Sequence, residues 1–205
     1  MNLIKHYFKD LSEEQIELLK KLTGLIVDWN SKINLISKND ISKIEERHIL
    51  HSLSIAKFIS FKTDTIVADV GTGGGFPGLP LAIMFPKTDF FLIDSIRKKI
   101  NVVQNISETL SLKNVHPVCS RIEDINQKFE FIVSRAVTSF PEFVKLIKNK
   151  TSYNHKNEIK NGIICLKGGE LDNELTGFND AMIIPISKYF KEEFFKTKKV
   201  IYYPY

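Results

Sequence analysis

The chain has 205 residues, of which 43% are hydrophobic and 26% charged, a balance typical of one globular domain with a sizeable core. Its apolar runs are too short for a membrane span, and the N-terminal segment MNLIKHYFKD lacks the apolar stretch of a secretory signal, so we expect a cytoplasmic protein outside the membrane. A net charge of +5 permits a polyanionic partner without requiring one.

Residues 1–60 carry helical patterns. Ser12 and Gln15 form a capping-box pair, and apolar residues then recur at helical spacing as far as Trp29. After the segment NSKINLIS, a second helix is predicted from about residue 40 to residue 59. Because no linker follows these helices, we interpret residues 1–60 as a helical cap on the remainder of the chain.

From residue 65 short apolar runs alternate with helical segments. The predicted strands read TIVADV, FFLID, VHPVCS, FEFIVSR, GIICLKGG, AMIIPI and KKVIYYPY. Helices are predicted at PGLPLAIMF, with Pro77 in its first turn, at residues 96–112, and at SFPEFVKLIKN, with Ser139 as its cap. The alternation predicts an α/β fold with a mostly parallel seven-stranded sheet, helices on both faces and a closing pair of edge strands.

We therefore expect residues 1–205 to form one domain, with the α/β core in residues 61–205. Cys119 and Cys165 both fall within predicted apolar strands. Free cysteines in such surroundings behave as small buried hydrophobic residues, so two buried free thiols in a reducing compartment are expected.

The segment VADVGTGGGFPG follows the first predicted strand and holds five of the ten glycines. A glycine-rich turn in this place lets the backbone approach a ligand closely. A nucleoside-triphosphate loop is excluded, because leucine and proline follow Gly78 where Lys and Ser or Thr are needed. A dinucleotide loop matches Gly73, Gly75 and Gly78, with Asp94 behind them, but these glycines begin too late after the strand.

A third interpretation uses every feature of the segment. Asp69 stands at the strand end, and Gly71, Gly73 and Gly75 follow at every second residue, which resembles motif I of class I S-adenosylmethionine-dependent methyltransferases. An acidic residue near the loop suits a cofactor that carries a sulfonium and an ammonium group. Asp94, at the end of the next strand, suits the ribose hydroxyls, because a carboxylate accepts two hydrogen bonds in fork geometry. Backbone groups near Ile122 and Glu123 would then meet the adenine. This interpretation makes the fold Rossmann-like.

The remaining sequence restricts the substrate atom. Methyltransferases of exocyclic amines often carry an (N/D)-P-P-(Y/F) motif after the fourth strand, where this chain has SRAV. Methylation at pyrimidine carbon-5 needs a nucleophilic cysteine, and no activating partner accompanies either cysteine here. Guanine N7 presents a lone pair and loses no proton on methylation, so it requires no general base. We predict no catalytic acid–base residue and no metal site.

The sequence also resembles a known family. The stretches WNSKINL, RHILHSL, DVGTGGGFPGLPLAI with LIDS, VSRAV and LKGG occur with the order and spacing of the bacterial RsmG family, formerly glucose-inhibited division protein B. The resemblance covers nearly the whole chain and implies a methyltransferase acting on guanine N7 of 16S ribosomal RNA. It implies cofactor contacts at Gly71, Phe76, Ile122, Glu123 and Arg135.

Two departures from the family pattern are visible. His51 replaces an acidic residue of the family's RHxxDS stretch, and Gly74 replaces a proline found in some relatives. Arg47 and His48, in the matching RH pair, and Lys167, at the end of the fifth strand, are candidate substrate contacts. A surface salt bridge of Arg47 with Glu45 or Glu46 and a core histidine at 48 remain the alternatives.

The expected partner is 16S rRNA in the small ribosomal subunit or an assembly intermediate. We expect the protein to act as a monomer with S-adenosylmethionine as its cofactor. Only four of the basic residues are arginine, which indicates weak intrinsic RNA affinity and dependence on structured RNA or bound ribosomal proteins. A methyltransferase with another RNA, protein or small-molecule substrate, a nicotinamide-dependent oxidoreductase and a non-catalytic RNA-binding module remain competing hypotheses.

Overall fold

The computed structural model of the chain describes residues 1–135 and 137–205, except the side chain of Lys38. Its N-terminal part contains α1 (Asn2–Tyr7), α2 (Glu13–Asn30), α3 (Lys38–Ile41), a π-helical turn (Glu45–Leu50) and α4 (His51–Phe58). The strands are β1 (Ile66–Val70), β2 (Asp89–Asp94), β3 (Val115–Cys119), β4 (Phe131–Arg135), β5 (Gly162–Gly168), β6 (Met182–Pro185) and β7 (Lys198–Pro204). The helices between strands are α5 (Gly78–Met84), α6 (Arg97–Thr109) and α7 (Phe140–Leu146).

The strands form one seven-stranded sheet in the order β3-β2-β1-β4-β5-β7-β6. Strands β1 to β5 are parallel, whereas β7 runs antiparallel to both of its neighbours. The order reverses between β1 and β4, and ligands of open α/β sheets bind outside the carboxyl ends of the strands at such a point. The predicted α/β architecture with a mostly parallel sheet and a closing pair of edge strands is confirmed, and the structure shows that this pair is antiparallel.

Helices cover both faces of the sheet because strand residues alternate between two hydrophobic clusters. In β1, Val67 packs into the cluster that contains apolar residues of α2, α4, α5 and α6, whereas Ala68 and Val70 pack into the cluster of α7. The N-terminal helices share the first cluster with the sheet. Among the described helices, none is long and apolar enough to span a bilayer.

Three local expectations need correction. The helix predicted from residue 40 to residue 59 is divided into α3, the π-helical turn and α4. Cys165 is buried, but Cys119 lies at the end of β3 and is only partly buried. Ser139 occupies the N-cap position of α7 without capping its backbone, because its hydroxyl bonds to the Glu142 carboxylate.

The capping box at the start of α2 is confirmed. The Ser12 hydroxyl accepts from the Gln15 N–H, and the Gln15 side chain accepts from the Ser12 N–H. The Gln15 amide also donates to the carbonyls of Ile83 and Met84, at the end of α5, so one side chain joins the cap to the core.

We expect Ser12→Ala to lower the free energy of unfolding by about 1 kcal/mol, the usual cost of a lost N-cap. Gln15→Ala removes the half of the box that accepts from the Ser12 N–H, together with the two bonds to α5, and should cost more. Urea unfolding measures both values, with Lys21→Ala on the exposed face of α2 as a neutral control. An equal loss for the two variants would contradict the joining role of Gln15.

Candidate functional site at the carboxyl edge of the sheet

A cavity of about 430 Å³ opens at the carboxyl ends of β1 and β2, within the range of small-molecule sites. Four of the eight predicted cofactor-binding residues line it, namely Gly71, Asp94, Ile122 and Glu123. They come together because β1, β2 and β3 are parallel neighbours in register, which brings the segments after these strands to one edge. The cavity therefore lies where the sequence predicted the nucleoside part of the cofactor.

Asp94, at the end of β2, is buried and faces this cavity. Its carboxylate accepts one hydrogen bond from the Gly73 N–H at 3.1 Å and another from the Ile96 N–H at 2.9 Å. Since a carboxylate offers about four acceptor positions, Asp94 keeps acceptor capacity for a ligand. Gly73 does not line the cavity itself but fixes the carboxylate that does.

Asp69 anchors the glycine-rich loop by hydrogen bonds to two of its residues. It is fully buried, and its Oδ2 accepts from the Thr72 hydroxyl at 2.7 Å and from the Gly78 N–H at 2.8 Å. Its Oδ1 is buried without a hydrogen-bond partner among the described residues. Burial raises the pKa of Asp69 to about 6 against the opposing effect of these hydrogen bonds. The carboxylate thus ties the end of β1 to the start of α5 and does not line the cavity.

Two glycines allow the close packing of this loop. A Cβ at Gly78 would lie 2.8 Å from both Asp69 Oδ2 and Leu92 Cγ, so only glycine lets α5 begin directly against β1 and β2. Gly71 has a φ of +71°, and a Cβ there would lie 2.4 Å from a methyl group of Val137. A larger residue at Gly78 would displace Asp69, the anchor of the loop, and a larger residue at Gly71 would displace Val137 in the cavity wall.

Phe76 and Arg135, two further predicted cofactor contacts, do not line this cavity. The Arg135 guanidinium stands over the Phe76 ring at 5.1 Å and donates to His48 Nδ1 at 3.0 Å. The His48 ring is 5.2 Å from the Phe76 ring, so these three residues form one contact group. Burial lowers the pKa of Arg135 to about 10, and the guanidinium remains charged at neutral pH.

The candidate substrate residues each have partners within the chain. Arg47 forms an ion pair with Asp40 at 2.6 Å, and Glu45, considered as its partner, instead binds the N-terminal ammonium group. Lys167 donates to the Thr138 carbonyl at 2.6 Å and to the Glu174 carboxylate. No three His, Cys, Asp or Glu side chains group as a metal site within residues 1–135 and 137–205.

Sequence reasoning missed several residues of the site. Thr72 is essential to the anchor of the loop, and its signal was a hydroxyl three residues after a strand-end aspartate. Val137 and Arg121 line the cavity, but nothing in their local sequence marks them as cavity residues. Asp40, the partner of Arg47, lies on a separate short helix, so helical spacing alone did not reveal it.

Comparison with known proteins agrees with this geometry. The GidB family, described as rRNA small subunit methyltransferase G, matches residues 15–201. The ribosomal RNA small subunit methyltransferase G of Flavobacterium johnsoniae is 52% identical over 204 residues, which cover 100% of this chain and 98% of that protein. The chain belongs to the GidB family. It is a methyltransferase, its methyl donor is S-adenosylmethionine, and the resemblance drawn from the sequence is confirmed.

Two further comparisons concern the family and the fold. The protein of the same name from Flavobacterium psychrophilum is 53% identical over 202 residues, covering 98% of this chain and 96% of the relative. The crystal structure of a SAM-dependent methyltransferase from Aquifex aeolicus matches with a TM-score of 0.56 at 19% identity. That alignment covers 82% of this chain and 98% of the other, and it shows the common fold.

The buried carboxylate of Asp69 generates a pH-dependent prediction. Its pKa is about 6 in the folded chain and near 3.8 when unfolded, so ionisation costs folding free energy above about pH 6 and nothing below about pH 4. The free energy of unfolding of the unmodified chain, minus that of Asp69→Asn, should therefore fall as pH rises from about 4 to about 6 and stay level above. Urea unfolding over this pH range measures the difference.

Asparagine is the matched substitution here, because its side-chain oxygen still accepts from Thr72 and Gly78. A difference that stays constant or grows with rising pH would contradict the burial of an ionisable carboxyl at the loop.

Proposed function

We propose that this methyltransferase modifies N7 of a guanine in 16S rRNA, and that it acts in the cytoplasm on the small ribosomal subunit or an assembly intermediate. Membership in the family described as rRNA small subunit methyltransferase G supports the substrate class. One observation carries the choice of N7: the histidine that contacts the loop, His48, already accepts from Arg135 through Nδ1, and Asp69 and Asp94 already accept hydrogen bonds from the loop.

The residues that would hold S-adenosylmethionine form two groups around the glycine loop. Asp94 offers a carboxylate to the ribose hydroxyls, and the backbone at Ile122 and Glu123 borders the same cavity for the adenine. The Gly71 backbone lies at its floor. Phe76 and Arg135 contact each other at the loop outside this cavity, and we assign the methionine part of the cofactor to them.

The histidine that contacts the loop and the buried cysteine of β5 are unsuited to act as a general base or a nucleophile. His48 is neutral, because burial and the adjacent Arg135 lower its pKa to about 3, but its Nδ1 already accepts from that arginine. Burial raises the pKa of Cys165 to about 12, so this thiol is not a nucleophile at neutral pH. Guanine N7 fits such a site, since its lone pair attacks without the removal of a proton.

When bound, S-adenosylmethionine supplies an electrophilic methyl group, whose bond to sulfur breaks as the bond to N7 forms and the positive charge passes to the base. The chain contributes position and orientation. It holds the reacting groups in line and excludes water, which supplies on the order of several kcal/mol of barrier reduction.

The substrate side of the site carries a strip of lysines. Lys198 and Lys199 begin β7, which runs antiparallel to β5, so they pair with Gly168 and Lys167 at the same carboxyl edge as the cavity. Phosphates of the RNA would replace the weak internal contacts of these ammonium groups, which are a ring contact for Lys198 and the Gly169 carbonyl for Lys199. The strip is small, which agrees with weak affinity for naked RNA.

Methyl transfer from labelled S-adenosylmethionine tests the proposed function. Small subunits from cells that lack the protein should accept one methyl group per particle, and mapping should place it at N7 of one 16S guanine. Naked 16S rRNA should react more slowly, and a short synthetic hairpin more slowly still. Label on protein, on another base atom or on no ribosomal RNA would overturn the assignment.

The lysine strip gives a quantitative expectation. Lys198→Ala combined with Lys199→Ala should weaken binding to the small subunit and reduce the slope of log affinity against log salt by about 1 to 2. Filter binding over a series of salt concentrations measures this slope.

The matched control is Lys87→Ala combined with Lys113→Ala. Both lysines are exposed before β2 and β3, at the amino edge of the sheet, and their loss changes the net charge by the same amount. Equal effects of the two pairs would mean that overall charge, and not this strip, attracts the RNA.

A further inference from the structure

The π-helical turn Glu45–Leu50 distinguishes the helical cap from an ordinary helical pair. A π-helical turn bonds residue i to residue i+5 and is rare, and such turns occur frequently at functional sites. Here the turn brings two groups to Arg135 at the end of β4: the Arg47 carbonyl, 3.5 Å from Nη1, and His48 Nδ1, 3.0 Å from Nη2. A segment 88 residues earlier in the chain thus holds a side chain of the sheet edge.

The hydrogen bond from Arg135 fixes the tautomer of the His48 imidazole. A guanidinium only donates, so Nδ1 must be the unprotonated acceptor and Nε2 must carry the hydrogen. The Asp40 carboxylate lies 3.9 Å from Nε2, on the side where that hydrogen is. Burial and the positive charge of Arg135 lower the pKa of the imidazole to about 3, so this form persists at every physiological pH.

Asp40 is itself held in place. Its Oδ1 is paired with Arg47, and its Oδ2 accepts from the Ser37 hydroxyl at 2.7 Å. These hydrogen bonds lower the pKa of Asp40, so it stays ionised beside the imidazole. We call the series Asp40, His48 and Arg135 the relay: Asp40 places a negative charge 3.9 Å from Nε2 without a hydrogen bond, and His48 accepts from Arg135.

The relay ends on the glycine-rich loop. Phe76 is 2% exposed, and it contacts both the Arg135 guanidinium and the His48 ring. Arg135 uses two of its five N–H groups on acceptors within the described residues. Neither Arg135 nor Phe76 lines the nucleoside cavity.

We propose that His48 is a positioning residue for methyl transfer, and that its Nδ1 holds Arg135 against Phe76 so that the loop presents one fixed wall to the reacting groups. The role rests on the proposed function of this site. It requires an acceptor at the position of Nδ1 and no proton transfer by the imidazole.

Three substitutions separate this role from simple packing. The side-chain oxygen of His48→Asn falls near the position of Nδ1, whereas that of His48→Gln extends toward the position of Nε2, and His48→Leu offers no acceptor. We expect His48→Asn to keep kcat for methyl transfer within about threefold, and His48→Gln and His48→Leu each to lose roughly tenfold or more, with a smaller change in KM for the subunit. Thermal unfolding and S-adenosylhomocysteine binding by calorimetry accompany each assay.

The matched control is His116→Leu, because His116 is partly exposed on β3, and its only side-chain hydrogen bond within residues 1–135 and 137–205 is to Asp89. It should retain full activity. Equal activity of the Asn and Gln variants, or losses of kcat that simply follow losses of thermal stability, would overturn the role of Nδ1. If the unmodified chain binds S-adenosylhomocysteine but methylates no 16S guanine, the proposed substrate fails, and the Asn–Gln comparison is then made on cofactor affinity.

Discussion

The site depends on one buried carboxylate. Asp69 is the penultimate residue of β1, and one of its oxygens accepts from both the Thr72 hydroxyl and the Gly78 N–H, which bends the chain from a central strand into α5. A buried carboxylate is costly unless hydrogen bonds compensate it, and its raised pKa shows that the compensation is incomplete. The chain tolerates this cost where the loop must keep an unusual course, with three of its glycines at positive φ.

Both halves of the site follow from the shape of this loop. On one side the Gly73 N–H reaches Asp94, which joins the loop to β2 and prepares the carboxylate that faces the cavity. On the other side Phe76 meets Arg135 and His48, which join the loop to β4 and to the helical cap. The cap is therefore part of the site, and its π-helical turn contributes contacts that a detached helical cap would not provide.

Local sequence patterns predicted most of the fold because strand periodicity, helix caps and glycine turns are determined by neighbours in the chain. The seven strands, the capping box at Ser12 and the strand-end position of Asp94 are of this kind. The π-helical turn was not predictable, since its apolar residues also fit an uninterrupted helix. The partnership of His48 with Arg135 spans 87 residues, and only the packed fold brings them together. Family resemblance pointed to Arg135, but it gave no reason for its orientation.

A crystal structure with S-adenosylhomocysteine tests the central claim most directly, because it shows the loop and the ligand together. The account predicts ribose hydroxyls on Asp94, adenine beside Ile122 and Glu123, the methionine part toward Phe76 and Arg135, and an intact bond between Asp69 and Gly78. A ligand bound elsewhere, or one that binds only after Asp69 releases Gly78, would contradict the claim that this carboxylate shapes the methyl-donor site.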